Sequence, residues 1–144
     1  MITANPWKSY QKVATQTAPP GQLVLMLFEG AIRFLEQAQA GFEKEDPVEF
    51  NQIISNNILR TQDILFELNM SLNMAEGGEL AATLRSLYNY MDRRLMESNV
   101  QKDISGIQDV LGRVIVLRDA WAAMLQGHTD TPPPTNQRAE LAAA

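Results

Sequence analysis

Residues 46–72 read Asp46-Pro47-Val48-Glu49-Phe50-Asn51-Gln52-Ile53-Ile54-Ser55-Asn56-Asn57-Ile58-Leu59-Arg60-Thr61-Gln62-Asp63-Ile64-Leu65-Phe66-Glu67-Leu68-Asn69-Met70-Ser71-Leu72. The stretch opens with a helix-start signal. Asp46 suits an N-cap, Pro47 the first helical position, and Glu49 the carboxylate of a capping box. Phe50, Ile54, Ile58, Leu65, Leu68 and Leu72 then recur at steps that keep them on one helical face. No strand-like alternation interrupts them. One long amphipathic helix is the expectation.

The same period extends outward in both directions. Upstream, a stretch opening at Pro19-Pro20-Gly21 and running to about Glu45 carries Leu23, Leu27, Ala31, Phe34 and Ala38. Downstream, Gly77-Gly78 reads as a helix–helix turn, followed by Leu80, Leu84, Leu87, Met91 and Leu95. A fourth stretch starts near Asp103, a suitable N-cap, and carries Ile104, Ile107, Leu111, Val114, Trp121 and Leu125. Gly106 and Gly112 weaken it, by about 1 kcal/mol each relative to Ala. Residues 6–15 fit a short additional helix. Past Gly127, three consecutive prolines and no apolar period predict a disordered tail over 128–144. The fold expected is therefore all-α: an antiparallel four-helix bundle over about 19–127, preceded by a short N-terminal helix, in a single domain 1–127.

Composition narrows the function classes. The chain has 144 residues, a net charge of −5, no cysteine and one histidine. Disulfides, Cys-based zinc sites and two-His metal sites are excluded. The acidic balance argues against nucleic acid. Residues 1–15 lack the apolar core of a signal peptide, and the longest apolar run, Leu23 to Phe28, is far too short for membrane insertion. A cytoplasmic location follows as the default. His128 lies beside the proline run and reads as a solvated tail residue rather than a phosphorelay site. No Gly-rich phosphate loop and no Glu-x-x-His pair is present, so no enzyme and no cofactor is expected. Arg93-Arg94 reads first as basic charge near a helix C-terminus and second as a docking patch.

The informative feature is surplus apolar surface. On a wheel of about 100° per residue, the core stripe of the second helix fills a sector of about 140°. Leu59, Phe66 and Met70 fall together on the opposite side, among Ser55, Gln62, Asp63 and Asn73. A bundle helix needs one apolar stripe, not two. The first helix shows the same surplus, with Leu25 and Ile32 off the main stripe and Phe28 at its margin. Met70, Met74, Met91 and Met96 add adaptable side chains suited to varied apolar faces. A groove for an amphipathic partner helix is one reading, formed by Leu25, Phe28, Ile32, Leu59, Phe66 and Met70. A fifth helix carrying Trp7, Tyr10 and Val13 and lying across that face is another. A homodimer through the second stripe, without a separate client, is a third.

Three ordered motifs resemble the flagellar export chaperones of the FliS family. They are Pro20-Gly21-Gln22-Leu23-Val24-Leu25-Met26-Leu27-Phe28-Glu29-Gly30-Ala31; Gly77-Gly78-Glu79-Leu80-Ala81 followed by Leu87-Tyr88-Asn89-Tyr90-Met91-Asp92-Arg93-Arg94-Leu95; and Arg118-Asp119-Ala120-Trp121. The resemblance spans about residues 6–125. It implies a cytoplasmic chaperone that holds the C-terminal segment of flagellin, prevents its premature polymerisation and helps deliver it to the export gate of the flagellar type III machine. It implies no cofactor. It also implies that the N-terminal region, Pro6 to Val13 with Tyr10 as its aromatic, can cover part of the client surface when no client is bound. Tyr88 and Tyr90 match the family motif, and Tyr88 is expected to face the core.

Overall fold

A computed structural model describes residues 20–130 of the chain, with side-chain surroundings for residues 21–127. Among the described residues there are four helices and no strand: α1 (Pro20–Gly41), α2 (Pro47–Met70), α3 (Gly78–Gln101) and α4 (Ile104–Asp130). The short N-terminal helix, with Trp7, Tyr10 and Val13, lies outside the described residues, as does 131–144.

The pairings run antiparallel around a ring. Gly21 at the start of α1 sits against Leu125 near the end of α4. Phe42 just beyond α1 meets Phe50 in the first turn of α2, ring centroids 5.4 Å apart. Ser55 early in α2 reaches Asn99 late in α3, whereas Asn69 late in α2 reaches Asn89 earlier in α3. Tyr90 of α3 reaches Asp109 of α4. Each helix thus packs on its two ring neighbours, α1 most extensively on α2 and α4.

Local chemistry sets the boundaries. Asp46 is the N-cap of α2, its Oδ1 accepting from the Val48 amide at 3.2 Å, with Pro47 in the first turn. Asp103 does the same for α4, accepting from the Ser105 amide at 3.0 Å and the Ser105 hydroxyl at 2.8 Å. Those two bonds hold its carboxyl below the usual carboxylate range. The first helix ends at Gly41, short of the expected Glu45. A Cβ at Gly41 would lie 2.8 Å from Ile53 Cγ2, so the glycine lets the Ile53 and Ile54 side chains of α2 pack directly on the end of α1. The last helix runs three residues past the expected Gly127 to Asp130, so the expected tail loses its first turn to α4. Gly78 takes φ 59° at the α2–α3 connection, a left-handed backbone that glycine adopts without strain.

Only Lys102 and Asp103 separate α3 from α4. Lys102 also adopts a left-handed backbone, φ 52°, the helix-ending conformation usually given to glycine. Its ammonium anchors the turn, donating to Ser55 Oγ at 3.1 Å, Asn99 Oδ1 at 2.6 Å and the Asn99 carbonyl at 2.8 Å.

The core joins all four helices: Leu27, Leu35, Ile54, Ile58, Leu65, Leu84, Leu95, Ile107 and Val114 are all buried. Tyr88 is buried as expected, and burial pushes its hydroxyl pKa upward. Two expectations about surface are corrected. Met91, counted both in the apolar stripe of the third helix and among the adaptable methionines, is fully buried and belongs to the stripe alone. Ile32, read with Leu25 as lying off the main stripe of the first helix, and Phe28, read at the margin of that stripe, are 7% and 0% exposed, and Leu25 is half-buried against the core. The reason is the position of α1 between α2 and α4. Val24, Leu27, Phe28, Ala31, Ile32, Leu35 and Ala38 form one continuous buried arc of about 140° rather than two stripes. Phe28 faces α4, where it packs on Trp121.

Candidate functional site

The second stripe on α2 is exposed. Leu59, Phe66 and Met70 are 54%, 64% and 68% exposed. Val48, also exposed, falls with them in a sector of about 40°, directly opposite the buried face of the helix. The stripe arises because α2 meets its neighbours through Ile54, Ile58, Thr61, Leu65 and Leu68, leaving the far side unpartnered among the described residues. Single exposed apolar residues are ordinary; four aligned along one helix are not. The other groove residues expected from sequence, Leu25, Phe28 and Ile32, sit on α1 and are not brought together with this stripe on one open surface.

Between α2 and α3 the edge of the stripe is polar. Gln62 Nε2 donates to the Asp92 carbonyl at 3.4 Å, Asn69 Nδ2 to Asn89 Oδ1 at 3.0 Å, and Arg85 Nη2 to the Asn69 carbonyl at 3.2 Å. A shallow cavity of about 180 Å³ opens there, lined by Gln62, Leu65, Phe66, Asn69, Asn89 and Asp92. Phe66 therefore forms both the crest of the apolar stripe and one wall of a hollow with amide groups at its rim. Met96 and Val100, on α3, are exposed as well.

A second open surface was missed by the helical wheels. The α3–α4 seam contains a cleft of about 590 Å³ lined by Leu87, Gln108, Asp109, Gly112, Arg113, Val116 and Leu117. One end is charged. Asp109 accepts from the Tyr90 hydroxyl at 2.7 Å and from Arg113 Nε at 2.9 Å, with Arg94 Nε at 3.5 Å. The Tyr90 hydrogen bond first, then the two guanidinium groups, hold its carboxyl below the usual range against the opposing effect of burial. Arg113 also lies over the Tyr90 ring, 4.8 Å from its centroid. Arg94 thus works as an inter-helix partner rather than only as charge near a helix end. The sequence signal for this cleft was Gly112, a glycine within a helix, beside Val116 off the core stripe.

Among the described residues no group of three or more His, Cys, Asp or Glu side chains is placed to hold a metal ion. No described helix is long and apolar enough to cross a membrane. What both surfaces offer is apolar area edged with hydrogen-bonding and basic groups.

Comparison with known proteins gives one consistent result. The family model "Flagellar protein FliS" matches residues 3–128. The chain is 36% identical over 126 residues to the flagellar secretion chaperone FliS of Bacillus subtilis, covering 88% of this chain and 90% of that protein. It is 35% identical over 125 residues to the protein of the same name from Salmonella typhimurium, covering 84% and 90%. It is 31% identical over 125 residues to the flagellar secretion chaperone FliSB of Pseudomonas aeruginosa, covering 84% and 96%. All three carry the name of chaperones, which points to a non-catalytic role.

Proposed function

We infer from its place in the FliS family, to which this chain belongs, that the protein is a cytoplasmic export chaperone for flagellin. It binds the C-terminal segment of flagellin, keeps that segment from polymerising early, and helps deliver it to the gate of the flagellar type III export apparatus. The observation that carries the reading is the exposed stripe of Leu59, Phe66 and Met70 on an otherwise well-packed bundle. A disordered client must be ordered as it binds, at a cost of about 2–5 kcal/mol or more. Each apolar side chain newly buried returns about 1.5–3 kcal/mol. Covering three such groups therefore offsets a cost of this size. The segment containing Trp7, Tyr10 and Val13 shields part of the client surface until the client displaces it.

The test is titration calorimetry of the full chain against the last forty or so residues of a flagellin from the same organism. Saturable binding near one-to-one with a large negative heat-capacity change is expected, because apolar burial coupled to folding gives that signature. Absence of binding would overturn the flagellin assignment. In that case sedimentation across a concentration series would show whether the stripe serves a homodimer instead.

A further inference from the structure

The chain has no cysteine, so its seven methionines carry its only sulfur atoms. A peroxide usually meets a thiolate first; here the thioethers stand first in line. Their surroundings in the bundle differ. Met91 is sealed in the core, and Met26 and Met124 are half-buried. Met74 and Met96 are 42% and 54% exposed. Met70 is the most exposed methionine among the described residues, at 68%. Oxidation follows access, so Met70 leads.

Position singles out the same residue. Met70 is the last residue of α2. Around the helix it lies within about 20° of Leu59 and about 40° of Phe66, one turn beyond that ring. Met74 falls past the end of α2, and Met96 stands on α3. Met70 is therefore the only sulfur in the apolar stripe of α2. It also stands outside the buried core cluster. A change in its polarity leaves the bundle's packing intact and alters the stripe.

We propose that Met70 is an oxidative modification site through which a hydroperoxide reversibly lowers client affinity. The thioether sulfur attacks one peroxide oxygen, the O–O bond breaks, an S–O bond forms, and water or an alcohol leaves. Sulfur gives up two electrons and the peroxide takes them. The product is a polar sulfoxide. An apolar client face laid over it strips water from its oxygen without supplying a hydrogen bond, which opposes binding. A methionine sulfoxide reductase, drawing on two thiols that end as a disulfide, removes the oxygen as water and restores the thioether. The proposal rests on the export-chaperone reading, with the α2 stripe as client surface. It adds a regulatory input: one side chain couples client occupancy to peroxide.

Full-length protein is treated with hydrogen peroxide, quenched with catalase and mapped by peptide mass spectrometry. It is then titrated calorimetrically against the untreated last forty or so residues of the flagellin, with circular dichroism on each sample. Met70 is expected to oxidise ahead of Met96 and Met74, with Met91 unchanged. Helicity should persist while affinity falls at least about fivefold, as one unsatisfied polar group at a covered contact requires. Methionine sulfoxide reductases should restore the affinity. Met70→Leu should bind like the unaltered protein and lose the peroxide effect, whereas Met96→Leu should keep it. Met70→Gln, polar without oxidation, should bind weakly from the start. If the untreated protein does not bind, the flagellin reading falls and this inference with it. If it binds, and folded protein carrying the Met70 sulfoxide binds equally well, this inference alone is overturned. A peroxide effect of unchanged size in Met70→Leu would place the sensitive sulfur elsewhere and also overturn it.

Discussion

Phe28 and Trp121 meet edge to face, with ring centroids 5.5 Å apart and planes at 73°. The contact ties α1 to α4, and both rings are almost wholly buried. Such aromatic pairs add about 0.5–1.5 kcal/mol beyond the area they bury. Phe28→Ala is therefore expected to act as a core truncation, costing about 3–5 kcal/mol. Urea unfolding followed by circular dichroism would read this as a lower midpoint with little change in slope. A loss below about 1 kcal/mol would mean that Phe28 is not the core residue described.

Adjacent residues on α2 should give opposite phenotypes. Phe66 is exposed and Leu65 is 1% exposed. Phe66→Asp removes apolar surface without entering the core, so stability should shift by no more than about 0.5 kcal/mol. Affinity for the flagellin segment should fall at least tenfold. Leu65→Asp places a carboxylate in the apolar interior and should unfold the bundle. Melting curves and client titration on the pair separate the two roles. Normal client binding by Phe66→Asp would remove the α2 stripe from the site.

The four helices were legible because their period, caps and breakers agree. Asp46, Pro47 and Asp103 act locally, so sequence alone locates the starts they set. The exposed stripe on α2 was equally legible, since Leu59, Phe66 and Met70 lie opposite a well-defined core face. The first helix misled because a wheel does not reveal how many neighbours a helix has. With α2 on one side and α4 on the other, α1 buries a wide arc, and Phe28 and Ile32 fall inside it. The α3–α4 cleft was invisible for a related reason. It is made by two helices jointly, and only Gly112 marked it. Gly106 and Gly112 look alike in the sequence; packing against Ser98 distinguishes them.

Asp109 makes the α3–α4 seam sensitive to acid. Its folded pKa is depressed, first by the Tyr90 hydroxyl and then by Arg113 and Arg94. A carboxyl with a depressed folded pKa contributes stability above its unfolded value of about 3.9, and that contribution is lost as pH falls through the folded pKa. Asp109→Asn should therefore lower stability at pH 7 and flatten the decline in stability below about pH 4. Tyr90→Phe should produce a smaller version of the same change, costing about 1 kcal/mol at neutral pH for a partly exposed bond to a charged acceptor. Urea midpoints measured from pH 3 to pH 7 on the three proteins test this. Parallel pH profiles for wild type and Asp109→Asn would show that Asp109 is not the titrating group.

Gly106 holds the same seam together from its other end. The Ser98 hydroxyl donates to the Asp103 carbonyl at 2.8 Å, and the Asp103 amide returns to the Ser98 carbonyl at 3.0 Å. Those bonds close the two-residue connection between α3 and α4 only because Gly106 leaves room for the Ser98 side chain. Gly106→Ala gains about 1 kcal/mol in helix propensity. It must also displace Ser98 Oγ, which breaks the bond to Asp103 or pushes the helices apart. Overpacking of a tight contact typically costs about 1–3 kcal/mol. The net expectation is destabilisation. Adding Ser98→Gly to Gly106→Ala should recover much of the loss, since it removes the overlapping hydroxyl. A double-mutant cycle by urea unfolding measures that coupling, and additive effects would rule out the Ser98–Gly106 contact as its cause.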